Sequence, residues 1–167
     1  MKLSTRGRYA VMAMADLAGH CAPDKPVSLA EISSRQEISL SYLEQLFAKL
    51  RRGGIVKSVR GPGGGYRLAR PAEETRIADI ILAVDEPIKA TRCRSGSPKG
   101  CTGTNGRCLT HDLWEELGRQ IHVFLSSVTL ADVIEKRVLG RSRPYQRPPL
   151  KTDLDETELA GALAGAK

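Results

Sequence analysis

In this 167-residue chain, SYLEQLFAKLRRGG at residues 41–54 and IVKSVRGPGGGYRL at residues 55–68 carry the clearest structural pattern. In the first part, apolar residues recur at i, i+3, i+4 and i+7, which predicts a helix buried along one face. The glycine pair that follows is typical of a left-handed helix end. The second part alternates like a strand on both sides of a GPGGG tip, which predicts a β-hairpin.

Residues before this stretch complete a helix-turn-helix. Ser28 and Glu31 fit a capping box that opens a short helix to about Gln36, and Ser41 and Glu44 fit a second box. Two short helices joined by a tight turn and followed by a hairpin are typical of the winged helix-turn-helix. We therefore predict a mainly α fold with a small β-wing.

The pattern also predicts two further helices in this domain. The first runs from about Arg6 to Ala18, and its expected inward residues are Tyr9, Met12, Ala13 and Leu17. The second covers residues 76–84, with Thr75 expected to cap its start.

The outer face of the 41–52 helix and the hairpin tip are candidate DNA contacts. The helix offers side chains that can contact base edges and phosphates, and the tip offers one arginine and small residues that allow close approach to a phosphate. These residues are Ser41, Tyr42, Glu44, Gln45, Lys49, Arg52, Arg60, Gly63 and Gly64. An ordinary solvated face is the alternative for the helix. A nucleotide-phosphate loop is excluded for the tip, because no Gly-Lys-Ser/Thr ending or following helix is present.

Charge is concentrated in the same half of the chain. The net charge is +7, and residues 1–76 carry 13 basic and 7 acidic groups whereas residues 77–167 carry 13 and 12. Residues 49–70 contain seven basic groups and no acidic one. Such a basic patch indicates a nucleic-acid partner, although a solubilising surface is the plain alternative.

A polar segment at 93–111 holds the candidate metal ligands. Its spacing is Cys-x7-Cys-x6-Cys-x2-His, formed by Cys93, Cys101, Cys108 and His111. It contains almost nothing apolar, so a bound group has to order it. The long gaps favour an iron–sulfur cluster, while zinc or a thiol sensor stays open. Cys21 is expected to be a half-buried hydrophobe instead of a ligand.

A long helix is predicted near residues 109–126, and it carries an apolar stripe. We expect this stripe to pack against the same helix of a second copy of the chain. Thr129 is expected to cap a short last helix that reaches about Leu139. The composition then becomes Pro-rich and afterwards Ala/Gly-rich. We divide the chain into a DNA-binding domain at 1–87, a cluster-binding loop at 88–108, dimerisation helices at 109–139 and a disordered tail at 140–167.

Four motifs together resemble the IscR-type iron–sulfur cluster regulators, a branch of the Rrf-type winged-helix family. They are LSTRGRYAV at 3–11, ISLSYLEQLF at 38–47, VRGPGGGY at 59–66 and CLTH at 108–111. The resemblance covers residues 1–139 and leaves out the tail. The gaps between the cysteines are slightly wider than expected for this branch.

The resemblance implies a homodimeric bacterial transcription factor that binds double-stranded promoter DNA. It implies a [2Fe–2S] cluster held by the three cysteines and His111, and control of cluster-biogenesis genes. In the family the major groove is read from the positions of Ser41, Tyr42, Glu44 and Gln45, and the wing arginine corresponds to Arg60. A nitric-oxide- or redox-sensing regulator of the same family is the alternative function. The related branch that senses nitric oxide takes an aspartate ligand from near the N-terminus, and the sequence Arg6-Gly-Arg8 in that region argues against it.

Other classes of protein fit less well. An enzyme is not expected, because no nucleophile beside a base and no α/β pocket pattern can be placed, and no small-molecule substrate is implied. A zinc-stapled interaction module is a further alternative. No membrane-spanning run or signal-peptide layout is present, so we expect a cytoplasmic protein without a membrane partner.

Overall fold

The computed structural model of the protein describes residues 4–22, 25–88, 90, 101 and 107–139. Cys93, most of the predicted cluster loop and the predicted tail at 140–167 lie outside these residues. The described elements follow the predicted order, with six helices and one hairpin, so the mainly α fold with a small β-wing is confirmed. They are α1 (Thr5–His20), α2 (Leu29–Gln36), α3 (Leu40–Arg52), β1 (Val56–Val59), β2 (Gly65–Leu68), α4 (Ile77–Ala83), α5 (His111–Ser127) and α6 (Leu130–Ile134).

One apolar core joins α1, α2, α3, α4 and the wing. Its largest fully buried side chains come from each of these elements, and they include Met14, Leu17, Ile32, Leu43, Phe47, Leu50, Val56 and Ile80. Met14 is buried, whereas Met12, which the helical pattern placed inside, is 37% exposed. Met12 lies about 200° from Met14 around the helix, so only Met14 shares the buried face of Ala13 and Leu17.

The two helices of the helix-turn-helix differ in how they begin. The predicted capping box of α2 is present, since Glu31 N–H donates to Ser28 Oγ and Ser28 N–H donates to Glu31. The box predicted at Ser41 and Glu44 is wrong. Helix α3 starts at Leu40 with Ser39 as its cap residue, and Leu43 N–H donates to the carbonyl of Ser39 at 3.0 Å. Ser41 and Glu44 lie inside the first turns, with exposed side chains.

The wing is an antiparallel hairpin that a third segment supports. Strands β1 and β2 pair from Val56 with Leu68 to Val59 with Gly65. Tyr66 also exchanges two backbone hydrogen bonds, of 2.8 and 3.0 Å, with Val27. A Cβ atom at Gly65 would lie 2.4 Å from the carbonyl oxygen of Val27, so only glycine allows this close backbone approach.

The last helix belongs to the same core as the DNA-binding elements. Ile77 N–H donates to the carbonyl of Val128, and Leu130, which is fully buried, donates to the carbonyl of Thr75. Thr75 is not the cap of α4, because its hydroxyl donates to the carbonyl of Pro71 at 2.9 Å. The predicted cap of α6 at Thr129 is present, as a capping box with Asp132, but the helix ends at Ile134, earlier than expected.

Helix α5 has its apolar stripe largely in solvent. Among its residues Gly118 is buried, and the exposed large apolar side chains are Leu113, Trp114, Leu117, Val123 and Phe124. In the part of the chain that the structure describes, no helix is both long and apolar enough to span a lipid bilayer.

A buried carboxylate links α1 to the end of α2. Asp16 is 6% exposed, and its oxygens accept hydrogen bonds from Arg35 Nε and Nη2 at 2.8–3.1 Å and from Gln36 at 2.9 Å. Burial opposes ionisation of Asp16, but the hydrogen bonds from Arg35 and Gln36 outweigh it, so the pKa of this carboxyl is lowered. The pair therefore holds the first helix of the helix-turn-helix against α1.

We expect Asp16→Asn to reduce the free energy of unfolding by about 2 kcal/mol at pH 7, because Arg35 loses a charged, bidentate partner. Because the pKa of Asp16 is lower in the folded than in the unfolded state, its contribution is present above the unfolded pKa of about 3.9 and disappears as the pH falls through the folded pKa. Urea unfolding at fixed protein concentration, at neutral and at acidic pH, measures this difference.

Asp79→Asn is the matched control, since Asp79 is more exposed and its partner Arg70 lies at 3.7 Å. This control is expected to cost less than 1 kcal/mol. Equal losses for the two variants at neutral pH would contradict a special role of the buried pair.

Candidate nucleic-acid interface and candidate metal centre

The outward face of α3 presents most of the predicted DNA-contacting side chains together. Ser41, Glu44 and Gln45 are exposed in successive turns of the helix. Tyr42 is half-buried, and its ring packs edge-on against Tyr9 with the ring centroids 6.0 Å apart. The tyrosine is therefore held at the junction of α1 and α3, while its three neighbours are open to a partner.

The two basic DNA contacts predicted near the end of α3 have different surroundings. Arg52 is exposed, and its Nε donates to the carbonyl of Ala48 at 3.4 Å. Lys49 is half-buried and forms an ion pair with Asp85, with Nζ 2.9 Å from the carboxylate. The hydrogen bond and charge of Lys49 hold the pKa of Asp85 below its ordinary value. Lys49 thus contacts a carboxylate of its own chain, whereas Arg52 faces solvent.

The tip of the wing presents an arginine and glycines that the backbone requires. Arg60 and Gly63 are exposed, and Gly64 is half-buried. Gly61 and Gly63 have φ values of +111° and +71°, which side chains disfavour. A Cβ atom on Gly64 would lie 2.5 Å from the carbonyl oxygen of Val59. The glycines are thus needed to form the turn, and the same turn presents Arg60.

The wing and α3 are held in one orientation. The ring of Phe47 packs against the ring of Tyr66 with the centroids 4.8 Å apart and the planes at 63°. Phe47 is fully buried on the inner face of α3, and Tyr66 lies on β2. The exposed face of α3 and the wing tip are therefore parts of one rigid surface.

Two of the four predicted metal ligands touch each other. Cys101 Sγ lies 3.0 Å from His111 Nδ1, and the imidazole is only 13% exposed. Cys108 is half-buried, and its carbonyl accepts a hydrogen bond of 3.0 Å from the backbone N–H of His111. Cys93, the fourth predicted ligand, lies outside the described residues. The start of α5 thus gathers one imidazole and a sulfur from the preceding segment.

Sequence reasoning missed the carboxylates around His111. Glu115 Oε2 lies 3.2 Å from His111 Nε2, one helical turn further along α5. Ligand atoms of His111, Asp112 and Glu115 all lie within 4.8 Å of one another, and Asp112 also pairs with Arg107 at 3.4 Å. The i, i+4 spacing of His111 and Glu115 was the available signal, because residues four apart share a helix face.

The donor set suits an iron–sulfur cluster. Two donors bound to one tetrahedral metal at about 2.3 and 2.0 Å lie roughly 3.5 Å apart, close to the Cys101–His111 separation. Soft thiolates together with imidazole are ligands that such clusters use. Cys101, Cys108 and His111 therefore fit the implied group in kind, and for one pair also in distance.

The segment that leads from the DNA-binding elements toward this site is fixed at its start. Asp85 has a left-handed backbone conformation, with φ +57°, and contacts Lys49 of α3. The next residue, Glu86, accepts a hydrogen bond of 3.2 Å from the backbone N–H of Ser4. The segment after α4 is therefore held by contacts with both α3 and the residue before α1.

Comparisons with known proteins agree on one family. Residues 3–136 match the Rrf2 family, described as an iron-dependent transcriptional regulator. The HTH-type transcriptional regulator IscR of Yersinia pseudotuberculosis is 53% identical over 137 residues, which cover 82% of this chain and 81% of the relative.

Two solved structures share this fold at lower identity. T. potens IscR is 38% identical with a TM-score of 0.65, and the match covers 87% of this chain and 94% of that one. CymR, the global cysteine regulator of B. subtilis, is 32% identical with a TM-score of 0.66, covering 81% and 98% of the two chains. The same architecture therefore occurs both in an IscR and in a global cysteine regulator.

We expect Arg60→Ala to weaken DNA binding across sequences and to lower the slope of log K against log salt by about one, because one phosphate contact is lost. Fluorescence anisotropy with a promoter fragment at several salt concentrations measures both quantities. Arg119→Ala is the control, since Arg119 is an exposed arginine on α5 that pairs with Glu116. An unchanged slope for Arg60→Ala would show that Arg60 makes no phosphate contact in the interface.

Proposed function

The chain belongs to the Rrf2 family of transcriptional regulators, and we propose that it is a homodimer that reports iron–sulfur cluster status to promoter DNA. In this proposal Cys93, Cys101, Cys108 and His111 hold a [2Fe–2S] cluster, and the exposed face of α3 and the wing tip read the DNA. Members of this family bind DNA and regulate transcription, and they are not enzymes.

The contact between Cys101 Sγ and His111 Nδ1 at 3.0 Å carries the cluster proposal. Thiol and imidazole donors placed this close, with Cys108 at the turn before α5, support a shared set of metal ligands. The relatives named IscR and the family description as iron-dependent support the same assignment. When bound, a cluster supplies a group that changes with redox state and iron supply.

The ligand-bearing start of α5 and the DNA-reading surface lie on one folded unit. Lys49 of α3 contacts Asp85, just before the predicted loop, and Val128 after α5 is 2% exposed in the common core. A ligand bound at the start of α5 would therefore act on a segment that contacts α3 at Asp85 and re-enters the core at Val128. We infer that this arrangement transmits occupancy of the cluster to α3.

We propose that the exposed apolar face of α5 packs against a second copy of the chain. Leu113, Leu117 and Phe124 recur at i, i+4 and i+11, which places them on one face of α5, and they are 62%, 37% and 37% exposed. A contiguous apolar helix face of this kind is typical of a helix-packed dimer interface. A two-fold dimer would place two wings and two α3 helices on half-sites about one DNA turn, roughly 34 Å, apart. Cluster-biogenesis genes are the proposed targets.

We expect anaerobically purified full-length protein to be red-brown and to contain inorganic sulfide, and the triple variant with serine at residues 93, 101 and 108 to be colourless. Loss of thiolates removes the ligands, whereas the DNA-binding core stays intact. Visible absorption, sulfide analysis and promoter binding measure the outcome. A colourless wild-type protein with stoichiometric zinc would support a zinc-stapled module in place of the cluster.

Cys21→Ser is the matched control for the cysteine variants. Cys21 is half-buried at the end of α1, and its Sγ lies 3.8 Å from the carbonyl of Ala22. It is expected to keep the colour and the sulfide of the wild-type protein. If Cys21→Ser loses the cluster as completely as the triple variant, the ligand assignment is wrong.

We expect Glu44→Ala to relax discrimination between promoter sequences, because a carboxylate accepts from a cytosine amine but repels phosphates and guanine acceptors. In this variant, we expect the set of DNA sequences bound with cluster to differ less from the set bound without cluster than in the wild type. Genome-wide binding profiles of wild-type and variant protein, each with and without cluster, measure this. Gln45→Ala, the neighbouring exposed position, serves as the comparison; identical profiles for Glu44→Ala and wild type would contradict the role of Glu44.

A further inference from the structure

The two nitrogens of His111 face chemically different partners. Nδ1 lies 3.0 Å from Cys101 Sγ, and Nε2 lies 3.2 Å from Glu115 Oε2. A neutral imidazole carries one N–H, which donates, and one nitrogen lone pair, which can bind a metal. A carboxylate can accept the N–H but cannot donate to a lone pair, so Glu115 favours the tautomer with hydrogen on Nε2. This tautomer leaves the Nδ1 lone pair on the side of Cys101.

The position of Glu115 follows from the geometry of α5. His111 is the first residue of the helix, and Cα–Cβ bonds tilt toward the helix start, so a side chain four residues later leans back over the first turn. The imidazole is 13% exposed and the Glu115 side chain 53% exposed. The carboxylate therefore covers the solvent side of the ring without being part of the core.

The neighbouring acidic residues have other partners. Asp112 lies near His111, but its carboxylate pairs with Arg107 at 3.4 Å. Glu116 accepts hydrogen bonds of 2.6 and 2.7 Å from Arg119 and one of 2.6 Å from Gln120. The hydrogen bonds from Arg119 and Gln120 lower the pKa of Glu116 to about 2. Glu115 is thus distinguished among the acidic residues near the start of α5 by its direct contact with the His111 ring.

We propose that Glu115 is a positioning residue that fixes the tautomer and orientation of His111, so that Nδ1 is the nitrogen that ligates the cluster. The inference rests on the proposed function, because it needs His111 to be a ligand. Partners of this kind orient ligating histidines and raise their basicity, and their removal typically weakens metal binding about 10- to 100-fold. The negative charge of Glu115 would also favour the oxidised cluster and lower its reduction potential.

The test uses full-length protein with a cluster reconstituted anaerobically, in the wild type and in Glu115→Ala, Glu115→Gln and Glu116→Ala. Histidine labelled with ¹⁵N at either Nδ1 or Nε2 is incorporated, and pulsed electron paramagnetic resonance of the reduced cluster identifies the bound nitrogen. The rate of cluster loss to a ferrous chelator and the reduction potential are measured on the same samples.

In the wild type we expect the strong nitrogen coupling to follow the Nδ1 label. Glu115→Ala is expected to lose its cluster about tenfold faster, with a raised potential and a weaker or mixed nitrogen coupling. Glu115→Gln keeps an acceptor but no charge, so it is expected to retain the Nδ1 coupling and slow loss while its potential rises. Glu116→Ala is expected to match the wild type in all three measurements.

Failure of this inference differs from failure of the proposed function. Strong coupling from the Nε2 label, or Glu115→Ala indistinguishable from Glu116→Ala, would overturn the role of Glu115 while His111 remained a ligand. Wild-type protein that forms no cluster, or a cluster without any coupling to histidine nitrogen, would overturn the ligand set itself and with it this inference.

Discussion

Burial of one face of α3 is the interaction on which the rest of this structure depends. Leu43, Phe47 and Leu50 are fully buried, and each such side chain contributes about 2 kcal/mol through removal of apolar surface from water. Because that face is fixed inside, the opposite face, with Ser41, Glu44 and Gln45, has to point outward. Phe47 also contacts Tyr66, so the same burial sets the position of the wing relative to the helix.

Polar contacts then connect this core to the segment that carries the candidate metal ligands. The Lys49–Asp85 pair joins α3 to the exit of α4, and the backbone hydrogen bonds of Ile77 and Leu130 return the chain to the core after α5. The Lys49–Asp85 ion pair is weak by itself because Asp85 is exposed, whereas the backbone hydrogen bonds of Ile77 and Leu130 are buried. Their arrangement matters because they fix both ends of the region in which Cys101, Cys108 and His111 lie.

Local signals in the sequence misplaced several details where two similar residues compete. Ser39 and Ser41 can each cap a helix, and α3 starts two residues earlier than the Ser41 box indicates because the Leu43 N–H donates to the carbonyl of Ser39. Thr75 resembles a cap, but its hydroxyl bonds to Pro71. Such choices depend on backbone entry angles and on burial of neighbouring turns, which a pattern of residue types does not contain.

Residue types and their spacing were enough to predict the order of helices and hairpin, the inward face of α3, the capping box at Ser28, the cap at Thr129 and the glycine tip of the wing, because these follow from periodicity and local hydrogen bonding. It also indicated the cysteine and histidine donors by their spacing. Only the tertiary structure decided that Asp16 is held by Arg35, that Lys49 contacts Asp85, and that the last helix enters the DNA-binding core. These contacts join residues distant in sequence, and their formation depends on how the helices pack.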